Sequence, residues 1–316
     1  MTDRKKIIIT GGSGFVGGVL RQGLRDRGYD IEIFDPMKGF WVELLRRRYL
    51  GASNASLLRL VSPVIRRTLA GMEWVLVKSR MMVPEADDIL DIRDHLIDRF
   101  RNSYAVIHLA ALPHPFVPGM TPADYQRINY DGSINVFEAA RAAGVRKFIF
   151  ASSAQIYNIN KPAHIEQFPI LETNYLPTVA EGQSWYGFLK GEVERYMAKN
   201  CTGHDMQSIA FRLEFPGVRS LYPWNFYIST SVENTVSGFI QALEKDIPSG
   251  FEAFNLADRY IDPGIVDIQN FLKNSWPHIP NHTTGNECPL STEKARSVLG
   301  YSPQKGGTYY SFNVMW

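Results

Sequence analysis

A continuous apolar run, Lys6-Ile7-Ile8-Ile9-Thr10, passes without a break into Gly11-Gly12-Ser13-Gly14-Phe15-Val16-Gly17. An uninterrupted run rich in β-branched residues reads as a strand buried on both faces, as in a parallel sheet. The periodic stretch Val19-Leu20-Arg21-Gln22-Gly23-Leu24 follows, and after Gly28 comes a second run, Ile31-Glu32-Ile33-Phe34-Asp35. Strand, glycine turn, helix, strand is a βαβ unit. It commits the rest of the chain to supplying more strands and crossover helices.

The glycines Gly11, Gly14 and Gly17 are spaced GxxGxxG. One permits the tight turn, one lets a pyrophosphate approach the backbone, and one lets helix and strand pack closely. Free N–H groups and the dipole at the helix start then hold negative charge. The spacing therefore points to a dinucleotide, with Asp35 accepting hydrogen bonds from an adenosine ribose diol. A carboxylate there repels a 2′-phosphate, which favours NAD over NADP. The arginines that follow Asp35 in sequence leave a 2′-phosphate partner open.

The alternation resumes with strands expected at 105–111, 147–153 and 208–213, and helices at 128–143 and 186–199. The reading is α/β, a doubly wound parallel (Rossmann) sheet that takes ligands at its carboxyl edge. The expected division is a cofactor domain, 1–212, and a smaller substrate lobe, 213–316, partly interleaved because 155–182 contribute to it. A hydrophobic content of 45% and a charged content of 21% over 316 residues exclude a disordered chain. Cys201 and Cys288 are too few for a disulfide scaffold, and no Cys/His cluster suggests a metal. The longest uncharged stretch, 102–123, holds four prolines and is no membrane span. With no apolar leader near the N-terminus, a cytoplasmic location is expected.

Residues 36–83 break the rhythm, with nine basic residues against two acidic ones. Apolar residues at roughly helical spacing make about 37–85 a basic, amphipathic helical insertion after the second strand. It suits a packed hairpin, an anion grip, an oligomer contact or a membrane surface. Nucleic acid is not expected, since no recognition motif accompanies the charge.

Tyr186-Gly187-Phe188-Leu189-Lys190 puts a phenol and an ammonium one helical turn apart. The ammonium is expected to pull the phenol below its ordinary pKa, so that it can take a proton from an alcohol or return one to a ketone. Ser152-Ser153 close a strand upstream, where a hydroxyl can donate to the reacting oxygen.

Together these motifs resemble the extended short-chain dehydrogenase/reductase family, in its NAD-dependent sugar epimerase/dehydratase branch. Thr10 to Gly17 is similar to that family's nucleotide fingerprint, Asp91-Ile92-Arg93-Asp94 to its adenine-pocket motif, and Asn129-Tyr130-Asp131-Gly132-Ser133 to its Asn-x-x-Gly-Thr helix start. The resemblance implies Ser153, Tyr186 and Lys190 as the catalytic set. It gives the cofactor Gly11, Gly14, Phe15, Val16, Gly17, Asp35, Asp91, Ile92, Leu109, Ala110, Ala111, Asn129, Ser152, Tyr186, Lys190 and Phe215. It also implies a homodimer and a sugar or sugar-nucleotide substrate.

Two departures bear on the reaction. Ala154-Gln155 stand where dehydratase-like members carry a carboxylate pair, so 4,6-dehydration is disfavoured and hydride transfer remains. Glu214-Phe215-Pro216-Gly217-Val218-Arg219 stand where the family has Asn-x-x-Gly-Pro, and the shortened stretch after it resembles uronate dehydrogenase-type members. Ser153, Gln155, Arg219 and Trp224 are the expected substrate contacts. Three functions stay open at this point: redox-neutral epimerisation, net dehydrogenation or reduction of a small sugar, polyol or lactone, and a non-catalytic NAD-binding scaffold.

Overall fold

The computed structural model describes residues 4–35, 88–114, 120–201 and 206–310. The basic insertion, about 37–85, lies outside the described residues. Six strands, β1 (Lys6–Thr10), β2 (Asp30–Phe34), β3 (Ala105–His108), β4 (Lys147–Ser153), β5 (Gln207–Leu213) and β6 (Phe251–Leu256), form one sheet in the order β2-β1-β3-β4-β5-β6. Every pairing is parallel. The doubly wound reading of the sequence is therefore the observed fold. The chain winds outward from β1 to β2 and returns to β3 on the other side of β1. That switch point opens a crevice beyond the carboxyl ends of the strands.

Strand alternation explains how both faces are covered. Ile7 and Ile9 pack with Leu20 and Leu24 of α1 (Phe15–Asp26), Phe239 and Leu243 of α5 (Val232–Glu244), and Leu299 of α7 (Glu293–Leu299). Ile8 faces the opposite layer, with Leu96 of α2 (Arg93–Phe100), Phe137 of α3 (Gly132–Ala142), and Val193 and Met197 of α4 (Trp185–Asn200). Each apolar side chain withdrawn from water contributes roughly 1.5–3 kcal/mol against chain entropy. A third apolar cluster gathers Ile156, Phe168 and Ile170 with Phe226, Ile268 and Leu290 below β5 and β6; α6 (Ile268–Ser275) belongs to it.

Some boundaries differ from the sequence reading. The run expected at 105–111 pairs only to His108, because beyond it the backbone turns across the glycine loop. The helix expected at 128–143 is entered through a π segment, Gln126–Asp131, before α3 begins. Strand β6 and helix α6 were not anticipated: the sequence of β6, Phe-Glu-Ala-Phe-Asn-Leu, mixes charge and amide into an outer strand. Among the described residues, no helix is long and apolar enough to cross a membrane.

Candidate active site

The glycine turn sits at the switch point. Gly11 has φ +66°, and its N–H donates to Phe34 O at 3.1 Å, tying the turn to β2. A Cβ at Gly11 would lie 2.6 Å from Ala110 N, and one at Gly17 would lie 2.4 Å from Gly12 O. Both positions therefore need glycine for packing. Gly14 differs: a Cβ there would meet only Gly11 O, at 3.3 Å, so its bare backbone faces open space. Gly14 is also the N-cap of α1, with no side-chain cap, so the first N–H groups of a 12-residue helix point outward with the positive end of its dipole. Asp35, 6% exposed, accepts a hydrogen bond from Ser13 N at 3.0 Å and closes the side of the cradle. Leu109, Ala110 and Ala111 follow β3 along its floor, and Phe15 and Val16 open α1. These residues fit a dinucleotide pyrophosphate and its adenosine ribose. Asp91 and Ile92 lie before α2, with the Asp91 carboxylate beside His95 and Ile92 exposed.

The three expected catalytic side chains meet at the carboxyl end of β4. Ser153 is its last residue; its Oγ accepts from Gln155 N at 3.1 Å and stands near enough to the Tyr186 phenol to favour its ionised form. Tyr186 and Lys190 share the buried face of α4, which is capped by Ser184 accepting from Gly187 N at 3.1 Å. Lys190 Nζ donates to Ala151 O at 2.7 Å and lies 4.5 Å from the Phe150 ring centroid.

The electrostatics correct one expectation. Burial pushes the Tyr186 phenol above its ordinary pKa, the Ser153 hydrogen bond opposes this, and Glu214 adds to it. The Lys190 ammonium is itself lowered to about 7 by burial, with Glu194 opposing. An ammonium that burial itself disfavours, and that is committed to a carbonyl, does little to offset the desolvation of a phenolate. In the cofactor-free chain the phenol therefore holds its proton.

Other expected residues have protein partners of their own. Ser152 alternates to the opposite side of β4 from Ser153, and its hydroxyl donates to Glu194 rather than toward the crevice. Asn129 is fully buried and spends both ends of its amide on Leu112, accepting from N at 2.7 Å and donating to O at 3.1 Å. Arg219 pairs with Asp262 at 2.6 Å and lies over the Tyr309 ring, in a small cavity with Asp258 and Cys288. Trp224, 44% exposed, stacks on Tyr222 and packs 5.8 Å from Phe215, making an aromatic rim above the end of β5.

Four features escaped the sequence reading. Glu194 and Arg212 form a buried ion pair at 2.6 Å that joins α4 to β5. Gln183 donates to Gln155 O at 2.8 Å and Ile156 O at 2.9 Å, fixing the turn that carries Ser153. A Cβ at Gly187 would meet Gln155 O at 2.5 Å, so α4 can rest on that turn only through a glycine. Beneath them, Thr10, His108 and Ser133 form a buried relay. Ser133 donates to Asn129 O, so it accepts from His108 Nε2, and Thr10 donates to Nδ1. That wiring keeps the imidazole neutral, with its pKa lowered to about 3 by burial and by Lys190. Of these four, only the spacing of Gly187 within the helix was visible in sequence, and nothing there showed what it approaches.

Residues 62–215 match the model of the NAD dependent epimerase/dehydratase family. A UDP-glucose 4-epimerase of Klebsiella pneumoniae is 33% identical over 152 residues, covering 48% of this chain and 91% of the relative. A UDP-glucose 4-epimerase of Bacillus subtilis is 26% identical over 348 aligned positions, covering 95% of this chain and 93% of the relative. Among solved structures, a short-chain dehydrogenase/reductase superfamily protein of Agrobacterium tumefaciens with bound NAD superposes with a TM-score of 0.60 at 19% identity, covering 95% of this chain and 93% of that one.

Proposed function

Because the chain belongs to the NAD dependent epimerase/dehydratase family, we propose that it epimerises a hydroxyl-bearing carbon of a sugar, carried on a nucleotide, without net redox change. The observation that carries this reading is the meeting of Ser153, Tyr186 and Lys190 at the carboxyl end of β4, beside the cradle of Gly11, Gly14 and Asp35. When bound, NAD supplies a hydride acceptor that later returns the hydride, and a positive charge that favours the phenolate.

This chain's residues do the rest. Tyr186 takes the hydroxyl proton of the reacting carbinol and gives it back to the carbonyl oxygen after the sugar has presented its other face. Ser153 donates a hydrogen bond to that oxygen, where negative charge develops. Lys190, steered by Ala151 O, holds the nicotinamide ribose. Asp35 selects NAD over NADP by repelling a 2′-phosphate. Gln155 and Trp224 border the sugar; Arg219, committed to Asp262, contributes only if that pair opens. The apolar cluster built from Ile156 to Ile170 and Phe226 to Leu290 is read as the core of a substrate lobe interleaved with the cofactor domain. A cytoplasmic homodimer completes the proposal.

The test supplies UDP-glucose and UDP-galactose separately and follows interconversion together with NADH absorbance. Conversion with no accumulation of NADH is expected. Stoichiometric NADH would replace the reading with net dehydrogenation, and NADH formed from a free sugar, polyol or lactone but not from these two would assign it to that smaller class. That second reading draws on the brevity of the segment between β5 and α5, residues 214–231, which folds back on itself through a Pro216–Thr230 bridge.

A further inference from the structure

The carboxyl of Glu214 has no part in the chemistry described so far, yet it lies within the site. Leu213 pairs in register with Ser153, so Glu214, the next residue, emerges beside the turn that begins at Ala154. Its carboxylate accepts from Gln155 Nε2 at 3.2 and 3.4 Å and from Asn225 Nδ2 at 3.4 Å. These are long bonds from neutral amides. No cation pairs with it among the described residues, although it is 5% exposed.

A buried carboxylate ordinarily needs a cation or several strong donors. This one has spare lone pairs and weak partners. Of the elements packed around it, α4 presents the titratable phenol of Tyr186, which feels its charge. The turn after β4 presents only the Gln155 amide, and the Pro223–Asn225 turn only the Asn225 amide. Burial accordingly pushes the Glu214 carboxyl up to about 7, with Asn225 and Gln155 opposing.

The backbone above it is unusual as well. Phe215, Phe226 and Tyr227 all have left-handed φ, at 45°, 55° and 58°. Bulky side chains rarely adopt that region, and such residues cluster where a site requires a fixed shape. Here they flank, in sequence, the stacked rim of Phe215, Tyr222 and Trp224.

We propose that Glu214 is a specificity-determining residue of this site: its carboxyl accepts hydrogen bonds from the hydroxyls of a neutral sugar and turns away sugars that themselves carry a carboxylate. A neutral sugar supplies the O–H donors that Gln155 and Asn225 do not. An acidic sugar places a second negative charge in a buried space with no cation to share it, and discrimination then comes from repulsion as much as from attraction. The proposal rests on the sugar-acting reading above. It also runs against the uronate-type resemblance of the shortened segment.

UDP-glucose and UDP-glucuronate differ only in a CH2OH against a carboxylate, so they isolate the claim. Equilibrium binding of each to the NAD-loaded protein is measured at pH 6 and pH 8, for wild type, Glu214→Gln and Glu214→Asp. Wild type should bind UDP-glucose at least about tenfold more tightly at pH 8, with the preference shrinking at pH 6 as the carboxyl gains its proton. Glu214→Gln should lose most of the preference and its pH dependence, while Glu214→Asp retains both with weaker overall binding. Equal binding of the two ligands by wild type, or an unchanged preference in Glu214→Gln, overturns the proposal. Should Glu214→Gln fail to fold, loss of the preference's pH dependence in Glu214→Asp does the same. The sugar-acting reading fails separately: it falls if Tyr186→Phe leaves turnover intact, whatever the binding preference.

Discussion

The two halves of the site are built from different materials. The cofactor side, Thr10 to Gly17 with Asp35, is made of backbone: a left-handed glycine, a bare N-cap and one carboxylate. The proposed substrate side, Glu214 to Thr230 with Gln155, is made of side chains: two amides, a carboxyl, an aromatic rim and three bulky left-handed residues. A pyrophosphate is the same in every dinucleotide and can be met by fixed N–H groups. A sugar is recognised by the placement of its hydroxyls, which only side chains can match. The two halves should accordingly respond to substitution in different ways.

The largest expected effect falls between the halves. Tyr186→Phe should lower turnover by about a thousandfold, near 4 kcal/mol, while leaving NAD binding in place. A fluorescence titration of NAD beside a turnover assay separates the two, and loss of NAD binding would mean the phenol serves the cofactor side.

Next in size is a pH effect on stability from the substrate side. Burial raises the Glu214 carboxyl from 4.5 to about 7, so the native chain holds this proton more tightly than the unfolded one. Its contribution is fully present below pH 4.5 and declines as the pH rises to about 7, costing about 3 kcal/mol in all. Lys190, lowered from 10.5 to about 7, costs stability in the opposite sense as pH falls through that range. Urea denaturation of wild type and Glu214→Gln at pH 5 and pH 8 isolates the carboxyl: the variant should gain on wild type at pH 8. Parallel curves would show that Glu214 is solvated.

The paired serines sharpen the contrast within a single strand. Ser153→Ala should cost on the order of a hundredfold in kcat, the scale of one lost oxyanion donor. Ser152→Ala should stay within about threefold, because that hydroxyl faces Glu194. On the cofactor side, Gly17→Ala should cost about 1–3 kcal/mol of stability by thermal melting, since its Cβ meets backbone and not a flexible side chain. The smallest effect is expected from Trp224→Ala: KM for the sugar raised a few-fold with kcat unchanged, as suits one exposed ring of a stacked rim.

The same contrast explains what could be read without coordinates. The placement of the glycine turn, Asp35 and the Tyr186–Lys190 pair was legible because each follows from local spacing. Ser152 was misplaced because two adjacent serines look alike in sequence, although strand alternation sends them to opposite faces. Asn129 looks like a ligand contact, yet what consumes its amide is Leu112, distant in sequence. Gln155 comes from one segment and Glu214 and Asn225 from another, and only the return of the chain beside β4 joins them. The phenol's acidity was misjudged for a related reason: helical spacing shows that an ammonium is near, but not how much water both groups have lost.

The Glu194–Arg212 pair, which also accepts a hydrogen bond from Ser152 and donates one to the Tyr157 phenol oxygen, fastens α4 to the strand that ends just before Glu214. Stranding either charge in that dry setting would be costly, so helix and strand tilt together or not at all. An engineer wishing to retarget this protein therefore inherits a fixed joint between α4 and β5 that ends at residue 213. If the proposed function holds, new sugar preferences are best sought by swapping the side chains that come after it, with Ser153, Tyr186 and Lys190 left as they stand.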